Sequence, residues 1–339
     1  MGVMEMKRLI LTMSFPIMIS MLVQALYNIV DSMFVARVSE AALNAVSICY
    51  PVQMIMVAVA CGTGVGINAL LSRSLGEQKP ETAEQVAMHG LFLAACSWIV
   101  FALIGLFCAE AFLSLFASDA EIMAMGVSYM QICTICSIGV FAEIAYERIM
   151  QSTGNPIYNM IIQGAGALIN IILDPILIFG MFGLPQMGVS GAALATVIGQ
   201  IAAMFLGAYI TRRKVKEIQV RLRKFRIDPR LIARMYRIAV PAILMQSVMS
   251  FMTVMMNMIL VSFSALAVSV FSIYYKLQQF VFMAVLGMTN AIVPIISYNF
   301  GAGIKQRITQ AIRFSLWFAA GIMLIVPLFF QLFPDRLLM

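Results

Sequence analysis

Residues 9–34, LILTMSFPIMISMLVQALYNIVDSMF, form an apolar run of membrane-spanning length that nevertheless holds Asp31. A spanning helix needs about 20 apolar residues. An ionised group at membrane depth costs roughly 2.5–3.5 kcal/mol on insertion scales, so such groups usually have a function. A second carboxylate, Asp174, interrupts the run 157–180. Two buried-depth acids in one chain point to ion-coupled transport. The first run is too long for a signal peptide and lacks a small-residue cleavage site, so it is expected to be retained.

Outward from this run, further apolar segments follow at 43–72, 86–108, 122–146, 157–180, 188–211, 235–261, 266–297 and 309–332. Hydrophobic residues make up 62% of the chain and charged residues 11%, against about 25% charged in soluble domains. The expected fold is an all-α integral membrane bundle. The net charge of +7 is distributed by topology. With the N-terminus inside, that side holds Lys7, Arg8, Arg73, Lys79, Arg148, the eleven basic residues of 212–237, Lys305 and Arg307. The opposite side holds Arg37 and Arg336. This is a positive-inside pattern, so the basic charge does not imply a nucleic-acid partner. It places a multi-pass protein in a plasma membrane with a cytoplasmic N-terminus.

The chain aligns with itself without gaps at a shift of 225. Pro16 meets Pro241, Ser39 meets Ser264, Tyr50 meets Tyr275, Gln53 meets Gln278, Gly62 meets Gly287, Ser72 meets Ser297 and Gly76 meets Gly301. Many secondary transporters are built from such repeats, with substrate sites between the halves. Six segments per repeat keep the two copies parallel, each starting on the same side. The expected organisation is a first six-helix lobe at 1–211, a basic connector at 212–237, and an incomplete second lobe at 238–339. Two full repeats would end near about residue 450, so about nine of twelve spanning helices are expected here. The connector, RRKVKEIQVRLRKFRIDPR at its centre, can also bind anionic lipid headgroups.

Several residues could carry the coupling chemistry. Asp31 lies roughly 33 Å of helix rise from Leu9, and Asp174 roughly 26 Å from Ile157, so both fall in the outer half. Gln24, Tyr27, Asn28 and Asp31 recur at helical spacing and can line one face. Asn170 shares a face with Asp174. Pro16 and Pro175 are candidate bending points, and Pro175 is expected to open its helix and free carbonyls for an ion. Lys276, ten residues into its segment, is a candidate cavity-lining cation. Glu143, Glu147 and Arg148 are expected to pair and snorkel at the inner face. His89 is expected to be solvated or packed. Cys133 and Cys136, spaced as CxxC with no nearby histidine, read as small apolar side chains on one helix face. Gly62, Gly64 and Gly66 form a GxGxG run inside a spanning segment. With no preceding strand, they mark close helix packing rather than a dinucleotide fold. No Walker loop, zinc spacing or nucleophile–base pair is visible, so neither an enzyme nor a resident cofactor or metal is expected, beyond a coupling H+ or Na+ at Asp31, Asn170 and Asp174.

The stretches SFPIMISMLVQALYNIVDSMFVARV (14–38), GTGVGINALLSRSLGE (62–77), MQSTGNP (150–156), NIILDPILIFG (170–180) and GVSGAALATVIGQ (188–200) together resemble the multidrug and toxic compound extrusion (MATE) family. The likeness covers essentially the whole chain. It implies a twelve-helix, two-lobe exporter of small organic, often cationic, compounds driven by H+ or Na+. In the DinF-like prokaryotic subgroup, motifs matching Asp31, Asn170 and Asp174 line a first-lobe cation site. Met256 stands where the repeat would place a second Asp31, which favours coupling in the first lobe. The alternatives are a lipid-linked or polysaccharide flippase of the same superfamily and a non-transporting fragment. The oligomeric state is left open.

Overall fold

The computed structural model describes residues 1–116, 119–215, 217–218, 225–261, 263 and 265–332. Among residues 249–281 and 325–332, only some side chains are described. Ten α-helices follow in order: α1 Met6–Ala36, α2 Glu40–Gly76, α3 Pro80–Leu113, α4 Ala120–Ile135, α5 Ile138–Ser152, α6 Pro156–Phe179, α7 Gly188–Lys214, α8 Pro229–Val261, α9 Ala265–Gly301 and α10 Lys305–Leu332. Their ends are marked by local chemistry. Ser39 Oγ caps α2 by accepting from the Ala42 N–H at 3.0 Å, and Pro80 and Pro156 open α3 and α6. Both prolines sit where a missing N–H costs nothing. Gly180 closes α6 in the left-handed region at φ 72°, which glycine enters without a Cβ clash. In the α2–α3 turn, Glu77 accepts from Arg73 at 2.8 Å and from Lys79 at 2.9 Å, and these cations hold its carboxyl below the ordinary carboxylate range.

Seven stretches of helix are individually long and apolar enough to cross a membrane: α1, α2, α3, α6, α7, residues 229–248 of α8 and residues 282–301 of α9. The segment expected as one span at 122–146 is two helices, α4 and α5, bent by 41° and together long and apolar enough for one more crossing. The break falls at Cys136–Ser137, and the indole of Trp98 donates to the Ile135 carbonyl at 2.7 Å. An apolar pattern does not register such a break, because hydropathy is unchanged across it. The side chain of Lys276 and the residues Ser264 and Arg336 lie outside the described residues.

The repeat is visible in the helix limits. Shifted by 225, the ends of α1 and α8 coincide at Ala36 and Val261, α2 and α9 coincide throughout, and α3 and α10 start together at Pro80 and Lys305. It is visible again in the packing. A Cβ on Gly62 would run into Ile243, and one on Gly287 would meet Met18, the residue equivalent to Ile243. A Cβ on Gly76 would strike the Tyr298 carbonyl, and one on Gly301 the Arg73 carbonyl, and these partners are equivalent too. The halves therefore meet through reciprocal contacts and run parallel. All four contacts lie toward one end, where the loops are basic. There α1 residues Met6, Leu9, Ile10, Met13 and Ile17 share a core with Ala291, Ile295 and Ala311. At the same end Arg307 donates to the carbonyls of Met1 and Met4 at 3.0 and 2.7 Å.

Overpacking a close contact costs about 1–3 kcal/mol. Gly76→Val and Gly301→Val should each lower the thermal melting point by amounts similar to one another. Gly321→Ala, with no atom near the added methyl, should leave it unchanged or raise it slightly.

Candidate cation site

α6 brings the site together. Its Asn170 and Asp174, four residues apart, share a face, and Asn170 Nδ2 donates to Asp174 Oδ1 at 3.4 Å. The same amide lies 3.3 Å from Thr196 Oγ1 on α7. The two helices approach closely because Gly166 and Gly199 stand back to back. Asp174 is fully buried. Asp31, from α1, lies within electrostatic reach of it. Three buried oxygens here have no hydrogen-bond partner: Asp31 Oδ1, Asn170 Oδ1 and Asp174 Oδ2. Carboxylate and amide oxygens only accept, and an unpaired buried acceptor is costly. A convergent set of such oxygens fits a proton or a hard cation, which binds oxygen ligands. The sequence-expected trio is thus assembled from two helices that are far apart in the chain.

Tyr27 sits in the fields of Asp31, Asp174 and Glu143, with Gln24 at its hydroxyl. Asn28 is exposed, at the edge of the face that Gln24, Tyr27 and Asp31 share. Pro16 is buried within an uninterrupted α1, and Ser20 Oγ donates to its carbonyl at 2.9 Å. At Pro175 the expected opening is replaced by a continuous helix: α6 runs on to Phe179. A proline removes one N–H from the ladder, and α6 absorbs that loss because α7 packs along it, with Gly191 against the Leu177 carbonyl.

Sequence reading missed Thr196, which lies in the quoted stretch GVSGAALATVIGQ. It also missed Gln53 and Tyr129, whose Nε2 and hydroxyl meet at 3.2 Å, with Tyr129 in the field of Asp31. Gln53 had signalled itself through the repeat. Glu147 and Arg148 do not snorkel. They are 3% and 4% exposed, because Glu147 packs toward Gln163 of α6 and Arg148 lies across Gly64 of α2. Glu147 and Arg148 turn to other partners, Gln163 and Gln151, so the expected Glu147–Arg148 pairing is not a direct one. His89 is packed: its Nε2 accepts from the Asp228 N–H at 2.9 Å, which fastens the connector to α3.

The sequence profile of the MatE family matches residues 16–176 and 241–339. This chain belongs to the MatE family. It is 27% identical over 303 residues to the multidrug export protein MepA of Staphylococcus aureus, covering 88% of this chain and 66% of that protein. It is 27% identical over 314 residues to an FAD transporter of Shewanella oneidensis, covering 92% of this chain and 69% of the relative. The fold superposes with a TM-score of 0.93 and 25% identity on a structure described as the outward-facing conformation of a multidrug resistance MATE family transporter, covering 98% of this chain and 73% of that one. The chain thus spans a little under two thirds of the MepA length, and it is a multi-pass membrane protein of a transporter family.

Thr196→Val leaves the Asn170 amide short of an acceptor. It should destabilise the protein by about 1 kcal/mol, read as a lower melting point, and Thr196→Ser should restore most of the loss.

Proposed function

We propose that the protein containing this chain is a secondary antiporter that exports small organic compounds, often cationic ones, in exchange for H+ or Na+ bound at Asp31, Asn170 and Asp174. One observation carries the proposal: α6 buries Asn170 and Asp174 with unpaired oxygens, and the acid in whose field Asp174 lies, Asp31, is on α1, the helix that also packs against the second half. α1 presents Asp31 to α6 near one end and packs Met18 against Gly287 of α9 nearer the other, with Pro16 between its first turns and the site. A cation that draws Asp31 toward Asp174 therefore pulls on the helix that touches the second half. The basic end, where the halves touch, is the cytoplasmic end in this reading, in a plasma membrane.

The energetics are adequate. At ~100 mV and ~1 pH unit, one proton supplies about 2.3 plus 1.4 kcal/mol. That sustains roughly a 500-fold gradient of a neutral compound. For a monovalent cation exchanged one for one the voltage terms cancel, and about tenfold remains.

In proteoliposomes holding the full-length gene product, Asp31→Asn and Asp174→Asn should each abolish dye efflux driven by a pH or sodium gradient, with membrane insertion largely intact. Undiminished efflux from both variants would reject these residues as the coupling site.

A further inference from the structure

The orphaned acceptors do not stop at the outer site. Along α6, Asn159, Gln163, Asn170 and Asp174 fall on one stripe, at spacings of four, seven and four residues. Asn159 Oδ1 and Gln163 Oε1 have no partner, like the Asn170 and Asp174 oxygens above them. On α5, Glu143, Glu147 and Gln151 form a second stripe at four-residue spacing. The two stripes are joined where Gln163 Nε2 donates to Glu147 Oε2 at 3.4 Å. Glu147 Oε1 is buried and unpaired. Glu143 lies within electrostatic reach of Glu147 on one side and of Tyr27 on the other, which bridges the gap left where Gly166 has no side chain. The result is a file of acceptors through the first half, from Asp31 and Asp174 down to Asn159, where a membrane core would otherwise exclude polar atoms.

A purely structural reading would make Glu147 the counter-ion of Arg148. Arg148 does act on Glu147 through its charge, but among the described residues no hydrogen bond pairs the two. Arg148 Nη1 donates to Gln151 Oε1 at 2.9 Å, within a network that continues through Asn68 and Ser152, while its Nε is unpaired. Glu147 keeps a free oxygen facing a stripe of acceptors. The other charged or titratable groups about Glu147 are Glu143 and Arg148 on its own helix and Cys61 on α2.

We propose that Glu147, with Gln163 and Asn159, is a second cation station in the inner half of the bundle, which takes H+ or Na+ passed from the Asp31–Asp174 site by way of Glu143. The station lies about 16 Å of helix rise below Asp174 along α6. Arg148, held by Gln151, is the nearby cation that offsets the carboxylate's charge when the station is empty. The inference rests on the outer site being the coupling site, but its test is separate.

The chain in lipid nanodiscs is titrated with NaCl against a choline chloride control by calorimetry. Its acid–base infrared difference spectrum is also recorded with glutamate carboxyl carbons labelled with 13C. If the ion is Na+, wild type should bind sodium at two sites, and Glu147→Gln should weaken one of them about tenfold or more, the loss expected for a charged ligand. If the ion is H+, a label-shifted carboxylic band should disappear in Glu147→Gln, with no sodium heat. In both cases the Asp31→Asn, Asp174→Asn double variant should keep the Glu147 signal. Glu147→Gln with wild-type sodium binding and a wild-type labelled band overturns the inner station, even if its melting point falls. An Asp double variant indistinguishable from wild type instead overturns the outer site. Should Glu147→Gln not fold, Gln163→Leu decides: it keeps the carboxylate and should weaken the inner site alone, and unchanged binding and band there overturn the proposal.

Discussion

Helix backbones can touch only where there is no Cβ, and that constraint organises this protein. Gly62 and Gly76 on α2, with their equivalents Gly287 and Gly301 on α9, let the two halves meet almost backbone to backbone. In a membrane the hydrophobic effect does not drive helices together, so close packing of small residues must do so. Because the contacts are reciprocal under the repeat, they define an axis and an end. The halves are joined at the basic end, and everything functional hangs from that joint.

Polarity inside the first half obeys a second constraint. A bundle this apolar tolerates buried oxygens only on faces turned away from lipid. The α5 and α6 stripes meet that condition, and the lipid-side residues beside them, such as Ile161, Leu168 and Ile172, are exposed and apolar. The α4–α5 bend is part of this arrangement. At the break Trp98 satisfies the Ile135 carbonyl, and beyond it Glu147 is buried and meets Gln163 of α6.

α1 connects the two constraints. Its first turns belong to the core shared with α9 and α10, and its far turns present Tyr27 and Asp31 to α6. In the proposed antiport, this one continuous helix is the link between the cation site and the joint of the two halves. The buried Pro16, whose ring removes one rung of the helix ladder, lies between these two ends in a helix that stays continuous.

The sequence by itself determined the class and the repeat, and it singled out Asp31, Asn170 and Asp174 as candidates. Apolar length fixes a membrane helix because the bilayer has a set thickness. The shift of 225 fixed equivalent helices to within a residue at most ends, since glycine and proline mark positions that geometry cannot replace. Asp31 and Asp174 were legible because a charge in an apolar run stands out, and Asn170 because it lies one turn from Asp174. Tertiary structure decided the rest. Thr196 is chemically ordinary in sequence and joins the site only because α7 packs on α6. Glu147 and Arg148 read as a snorkelling pair at a helix end, and only their packing against α6 and α2 shows them buried and turned to other partners. Pro175 read as a break, yet the packing of α7 carries the helix through it. In each case local chemistry names what a side chain can do, and the neighbours brought by long-range packing decide whether it does so.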